Sequence, residues 1–323
     1  MSEKKRKPNR PPKPAKVVIK HAITAVFFGV MIAGMCFTMI YPIVKLLPNV
    51  FSSLLDLGNP DVIWIPVNRS TLSFTAAWRL TMKEGIMTIA KSVGYAGLIT
   101  LIQIFISAMV GYAIARVNFP GANLIFVLVL FVFLVPPQAL LLSQYIHFQN
   151  FWFLGKVYNL IGRPVTLYLL ALFGFGVNQS LFIFVFRQFF KNTPKELEEA
   201  ALIDGCGFNK TYFKVMLPNA KPAIATVAVL GFVWNYGDTY YTGYFDPDGP
   251  YLGYILNTTF QSANQQFVTN AIMTWYKLPL ANAFAFDAVK QAGALIYMIP
   301  LLIFYFITQH WLVENVENAG IVG

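Results

Sequence analysis

Six long apolar stretches recur along the chain, near Ala22–Val44, Val93–Ala115, Ala122–Leu142, Leu167–Phe189, Ala223–Tyr240 and Val289–Thr308. Each approaches the roughly 20 residues that an α-helix needs to cross a hydrocarbon core. A soluble core cannot absorb so many runs of that length. The pattern therefore predicts an all-α, polytopic membrane protein with about six transmembrane helices. The polar segments between the runs divide the chain into a tail over 1–20, a first span with its following segment over 21–91, a core over 92–312 that contains a long polar loop at 191–222, and a second tail over 313–323. Within 45–91, Ile63–Pro66 and Thr71–Phe74 are expected to be short extended pieces. The segment 143–166, with Phe151–Phe153 and Leu160–Arg163, is expected to lie along the membrane interface, with a re-entrant path as the alternative.

Composition agrees with this reading. The chain is 57% hydrophobic and 12% charged, against about 25% charged residues in soluble domains. The net charge of +10 would suit a nucleic-acid binder in a soluble protein. Here it is concentrated where orientation in a membrane requires it. Eight Lys/Arg and four prolines fall within Met1–Lys20, which reads as a disordered basic arm at an anionic leaflet. A cleaved signal peptide is disfavoured, because the apolar run after Lys20 exceeds a typical h-region and no small-residue cleavage site follows it. With the N-terminus inside, the inner segments hold 15 Lys/Arg and the longer outer segments hold 9. That bias predicts cytoplasmic termini. Cys36 and Cys206, and His21, His147 and His310, are too scattered for a disulfide framework or a metal site.

The loop at 191–222 is more patterned than a connector needs to be. Thr193 is placed to cap a helix beginning at Pro194, with Glu196 completing a capping box. Glu196, Glu198 and Glu199 crowd the positive end of that helix. Gly205 is suited to the left-handed stop. Leu197, Ala200, Ala201 and Asp204 share one face, which the two alanines keep flat enough for another protein to approach. A second short helix, roughly Lys210–Met216, is expected to be stopped by Pro218. An amphipathic hairpin on the inner leaflet would instead carry large apolar residues opposite Lys/Arg. Small residues and glutamates point to a protein-facing surface.

The stretch Glu199-Ala-Ala-x-x-Asp-Gly205, nine further residues, and Val215-x-Leu217-Pro218 resembles the EAA motif of binding-protein-dependent importer permeases. Tyr112-Ala-Ile-Ala-Arg116 with Phe119-Pro-Gly121, Trp234-Asn235, and Pro300 through Gln309-His-Trp-Leu312 are similar to other segments of that family. The likeness covers roughly Ser92 to Gly323 and is nearest to carbohydrate-uptake (maltose-transporter permease-like) chains. It implies a type I ABC importer permease-like fold and a prokaryotic inner or plasma membrane location. It also implies that Glu198, Glu199, Ala200, Ala201, Asp204, Gly205, Leu217 and Pro218 couple to an ATPase. The implied partners are a second similar permease chain, two ATP-binding subunits, an external solute-binding protein and an oligosaccharide. ATP and Mg would be bound by the partner ATPase.

No phosphate-cradling loop of the G-x-x-x-x-G-K-[ST] type occurs in the chain. No cofactor of its own, no catalytic set and no metal site is therefore expected, and the chain should not hydrolyse ATP itself. Polar residues inside spans are costly and often face a cavity. Trp234, Asn235, Tyr236, Asp238, Tyr240 and Tyr241 form the densest such cluster. Their aromatic faces, amide and carboxylate suit a sugar. An interfacial aromatic band would place the same residues there. Gln103, Ser107, Gln138, Ser143, Asn178 and Gln179 are further candidates that could equally join helices. An amino-acid or peptide permease, and a secondary transporter or channel working without an ATPase, are the competing functions. The last class would need coupling-ion carboxylates deep in the spans, and none is well placed.

Overall fold

A computed structural model gives the structure and describes residues 15–53, 56–59, 64–277 and 284–320. Most of the basic arm, and the extreme C-terminus, lie outside those residues. The chain divides into two compact units, 1–72 and 73–323.

In the first unit, helix α1 (Ala15–Phe51) covers the first apolar run and extends it at both ends. Beyond it, Ser52 and Arg69 form an isolated antiparallel bridge. The Asp56 carboxylate accepts the backbone N–H of Asn68 at 2.5 Å and its side-chain amide at 3.0 Å. The extended piece expected at Ile63–Pro66 falls partly outside the described residues. The one expected at Thr71–Phe74 is not extended, because Leu72–Thr81 is helix α2. Ser70 accepts the N–H of Leu72 through its hydroxyl, and this local capping overrides the β-propensity of Thr71 and Phe74.

The second unit is assembled on α3 (Ile86–Arg116), a 31-residue helix against which α6, α7 and α11 pack. The third apolar run is broken into α4 (Ala122–Leu134) and α5 (Pro137–Gln149), which meet at 102°. Pro136-Pro137 explains the break, since proline drives the residue before it out of the helical region. Val135 and Pro136 have ψ of 125° and 133°. The segment after α5 then forms an antiparallel hairpin, β1 (Phe151–Phe153) and β2 (Lys156–Tyr158). Its turn residues Leu154 and Gly155 have φ of 48° and 80°, the mirror-image turn that fits strand twist.

The fourth run is also interrupted. Helix α6 (Pro164–Leu172) and helix α7 (Gln179–Asn192) are separated by a break containing Gly174, at φ 86°. The polar loop holds α8 (Glu196–Ile203), α9 (Phe208–Thr211), a π-turn (Tyr212–Met216) and α10 (Leu217–Asn219). Helix α11 (Lys221–Tyr236) follows after a 72° bend and ends four residues before the apolar run does. The segment after α11 contains α12 (Tyr241–Phe245), α13 (Leu252–Thr259), a 3-10 turn (Ser262–Asn264) and α14 (Gln265–Tyr276). Helix α15 (Ala285–Gly320) contains the last run.

Among the described residues, α1, α3 and α15 are long and apolar enough to span a membrane alone, and the two bent pairs bring the total to five. The remaining run, the fourth, corresponds to the interrupted α6–α7. The protein is thus an all-α, multi-pass membrane chain. A hydrophobic core lies toward the C-terminal end of α3, where the polar loop packs against it. Ala108 and Tyr112 of α3, Phe182, Phe186 and Phe190 of α7, Tyr212 and Met216 of the π-turn, and Val227 of α11 are buried together there. Gly111 permits this approach, because a Cβ at that position would stand 2.7 Å from the Phe186 Cβ and 2.9 Å from the Arg187 amide nitrogen.

Candidate functional site

Two places in the second unit present chemistry that helix packing does not use up. The first is the polar loop. Helix α8 ends as expected: Gly205 has φ of 74°, its N–H donates to Leu202 O at 3.0 Å, and the Cys206 N–H donates to Ala201 O at 3.0 Å. This is the two-bond, left-handed helix stop. The start differs. Helix α8 begins at Glu196 rather than Pro194, and no side chain caps it. The Thr193 hydroxyl donates back to Phe189 O at 3.0 Å, ending α7 instead of opening α8. The second short helix differs too. It begins at Phe208 and runs through Pro218 to Asn219, because the π-turn upstream widens the coil where the proline lacks an N–H.

The shared face expected for Leu197, Ala200, Ala201 and Asp204 is divided in the fold. Ala201 is buried, whereas Leu197, Ala200 and Asp204 face outward with Glu196 and Glu199. Glu198 turns inward, three residues before Ala201 on the same side of the helix. Its Oε1 accepts the Tyr112 hydroxyl at 2.9 Å, and its Oε2 lies 3.8 Å from Arg116 Nε. Arg116 Nε donates to Phe190 O at 2.9 Å, and its Nη2 donates to Thr193 O. One arginine therefore joins the end of α3 to the end of α7 and the start of α8. The Tyr112 ring completes the joint, with ring centroids 5.3 Å from Phe190, 5.4 Å from Phe208 and 5.0 Å from Tyr212. Leu202, Ile203, Phe208 and Phe213 remain exposed on the outside of the loop. Gly205 and Pro218 are exposed there as well, and Leu217 is half-buried. The loop is thus a fixed platform with an apolar and acidic outer face.

The sequence singled out Glu198 as a contact with a partner, but its carboxylate is occupied within this chain. Tyr112 and Arg116 stood out only for their resemblance to a family turn. Their four-residue spacing at the end of a helix was the available signal, since it puts a phenol and a guanidinium on one face.

The second place is a cleft of about 930 Å³ between α5, the residues after β2, and α12. Tyr145, Tyr240, Tyr244, Gln138 and Asn159 supply its aromatic and amide groups. The Tyr240 and Tyr244 rings lie 5.2 Å apart. Of the cluster expected to line a pathway, Tyr240 alone lines this cleft. Trp234 stacks on Phe182 at 5.6 Å and 15°. Asn235 is buried and donates to Gln103 Oε1 at 2.7 Å and Thr100 Oγ1 at 3.3 Å. Tyr236 is buried and stacks on Tyr297 at 4.9 Å. Asp238 accepts the backbone N–H groups of Tyr240 and Tyr241 at 3.3 Å and of Thr242 at 2.8 Å, so it organises the start of α12. Burial, and next the nearby Asp238 charge, push the Tyr241 phenol up to about 12.

Several of the further polar candidates serve as joints. Gln103 donates to Val177 O at 3.1 Å, and Gln179 donates to Ala171 O at 2.7 Å while accepting the Gly176 N–H at 2.9 Å. These bonds hold the break between α6 and α7. Gln138 instead faces the cleft. Tyr145, Tyr244 and Asn159 escaped sequence reasoning because they lie on three elements distant along the chain. Among the described residues no cluster of His, Cys, Asp or Glu is arranged to hold a metal ion.

Residues 103–318 match the family described as binding-protein-dependent transport system inner membrane component. The chain is 29% identical over 311 residues to the probable starch degradation products transport system permease protein AmyC of Thermoanaerobacterium thermosulfurigenes, covering 94% of this chain and 97% of that protein. It is 24% identical over 298 residues to the arabinooligosaccharides transport system permease protein AraQ of Halalkalibacterium halodurans, covering 90% and 94%. Its fold matches a chain in the crystal structure of a bacterial ABC transporter involved in the import of the acidic polysaccharide alginate. The TM-score there is 0.67 at 20% identity, over 93% of this chain and 99% of that one.

Proposed function

The chain belongs to the family of binding-protein-dependent transport system inner membrane components, and from that premise we propose that it is one of two permease subunits of an ATP-driven importer for oligosaccharides. The observation that carries this reading is α8, a short helix fixed from within by Tyr112, Arg116 and Glu198 while its outer face stays open. A helix held in that way transmits displacement in both directions. The outer face, with Glu199, Ala200, Asp204, Gly205 and Pro218 beside Leu197, Leu202, Ile203 and Phe208, seats in a separate ATPase that binds and hydrolyses ATP with Mg. The excess of Lys/Arg in the inner segments favours a cytoplasmic position for that platform and for both termini.

Closure of two ATPase subunits moves α8. Because Arg116 ties α8 to the ends of α3 and α7, the spans move with it and the open side of the membrane changes. Differential contacts in the two states drive the switch. The sugar arrives from an external solute-binding protein and passes the tyrosine cleft, where its C–H faces stack on Tyr240 and Tyr244 and its hydroxyls meet Gln138 and Asn159. The oligosaccharide class is supported by the sugar transport functions of the relatives and by the aromatic and amide lining of the cleft. Co-purification and uptake test the proposal together. The tagged chain should bring down an ATPase, and oligosaccharides should compete for uptake. An intact chain that takes up substrate with no ATPase present would contradict it.

A further inference from the structure

A second polar cleft, of about 330 Å³, opens where the α3–α4 turn meets the last turns of α7. Asn118, Gly121, Asn123, Arg187 and Lys191 contribute to its wall, and no carboxylate does. Helix α4 begins in this wall. Gly121 has φ of 92°, no side chain caps the 13-residue helix, and its first turn contains no acidic residue. The unpaired N–H groups of a first helical turn, with the dipole behind them, attract anions.

Arg187 supplies an independent observation. It is 8% exposed, yet its Nε has no hydrogen-bond partner. Its guanidinium carbon stands 3.6 Å from the centroid of the Phe126 ring. Neither of the two ion pairs among the described residues includes it. A buried guanidinium without a counter-charge carries a large desolvation penalty. The ring offsets only part of that penalty.

We infer that this cleft binds a phosphate group, held by Arg187, Lys191 and the N-terminus of α4. The guanidinium fork matches phosphate oxygens, the lysine adds a point charge, and Asn118 and Asn123 add amide donors. Two sources carry that chemistry, the headgroup of an anionic phospholipid and inorganic phosphate. The cleft adjoins the end of α3 whose Arg116 reaches Phe190 and Thr193, so it lies where spans α3, α4 and α7 emerge beside the polar loop. A lipid bound there would brace α7 immediately before the platform. The inference does not rest on the identity of the transported substrate.

The test uses the full-length chain purified in detergent. Native mass spectrometry would measure retention of phosphatidylglycerol and phosphatidylcholine offered in equal amounts. Titration calorimetry would measure binding of inorganic phosphate. Phosphatidylglycerol retained over phosphatidylcholine by about fivefold or more, and reduced about fivefold by K191Q, assigns the site to a lipid headgroup. Phosphate binding without lipid selection assigns it to the free anion. R187Q should remove either, but it also disturbs packing on Phe126. N123D keeps the test sharp, because an acid at the second position of α4 favours the helix while repelling a bound anion. K210Q, on an exposed lysine outside the cleft, should change nothing. Equal retention of the two lipids with no phosphate binding would overturn the inference. So would an N123D variant that behaves as wild type in both measurements.

Discussion

At one end of α3, Tyr112 and Arg116 are hydrogen-bonded to α8 and α7, beside a buried aromatic core. Toward the other end, Tyr95 meets Tyr251 edge-on at 4.5 Å, beside a loop-rich segment of short helices. There Tyr240 precedes a five-residue helix, Tyr244 lies within it, and both line an open cleft. In the first region Tyr112, Arg116 and Glu198 spend their polar groups on fixing geometry, whereas in the second the tyrosines and amides of the cleft stay open to a ligand. A part that must pass on a mechanical movement needs no free polar groups within it, whereas a part that must meet and release a ligand does.

The strongest way to break the contrast is to undo the joint. Arg116→Ala removes donors from Phe190 O and Thr193 O and leaves Glu198 without its nearest cation. Removing charge-assisted bonds at a half-buried position should cost about 1.5–3 kcal/mol each. The expected outcome is a lower unfolding midpoint and loss of uptake. Gly111→Val should act in the same direction by forcing α3 away from α7, at about 1–3 kcal/mol for overpacking, read by thermal unfolding in detergent.

The outer face of α8 is expected to respond differently. Ile203 is 85% exposed, so Ile203→Glu should leave the unfolding midpoint of the isolated chain within about 0.5 kcal/mol of wild type. It should nevertheless abolish co-purification of the ATPase. At the cleft, Tyr240→Ala with Tyr244→Ala should lower uptake about thirtyfold, taking roughly 1 kcal/mol for the stacking that each ring provides. ATPase association should be unaffected. Uptake that falls together with ATPase association would erase the distinction between the two regions.

How much of this was legible in the sequence follows the same division. The apolar runs specify membrane helices because burial in lipid imposes one simple rule, and all six have helical counterparts. Gly205 was readable because a left-handed stop is a local event. The cap at Thr193 was misread because a threonine between two helices can bond backward or forward, and the bond from Arg116 to Thr193 O accompanies the backward choice. Pro218 was misread as a stop because nothing in the sequence marks the π-turn that accommodates it. Glu198 was placed at the ATPase contact by the family likeness, and spacing alone does not say which side of α8 meets α3. Asn235, Tyr236 and Asp238 were grouped with Tyr240 as neighbours in sequence, but a helix end at Tyr236 sends them to separate surroundings. The cleft itself draws on 138–145, 159–162 and 240–247, a juxtaposition that only the fold provides.

The most direct test of the joint is Glu198→Gln in the reconstituted importer, measuring ATP hydrolysis with and without the sugar-loaded binding protein. The amide keeps the shape and can still accept from Tyr112, but it loses its charge toward Arg116. If the joint carries the coupling, the complex assembles, its basal hydrolysis persists, and its stimulation by the loaded binding protein falls several-fold. Full stimulation in that variant, with uptake at the wild-type rate, would contradict it.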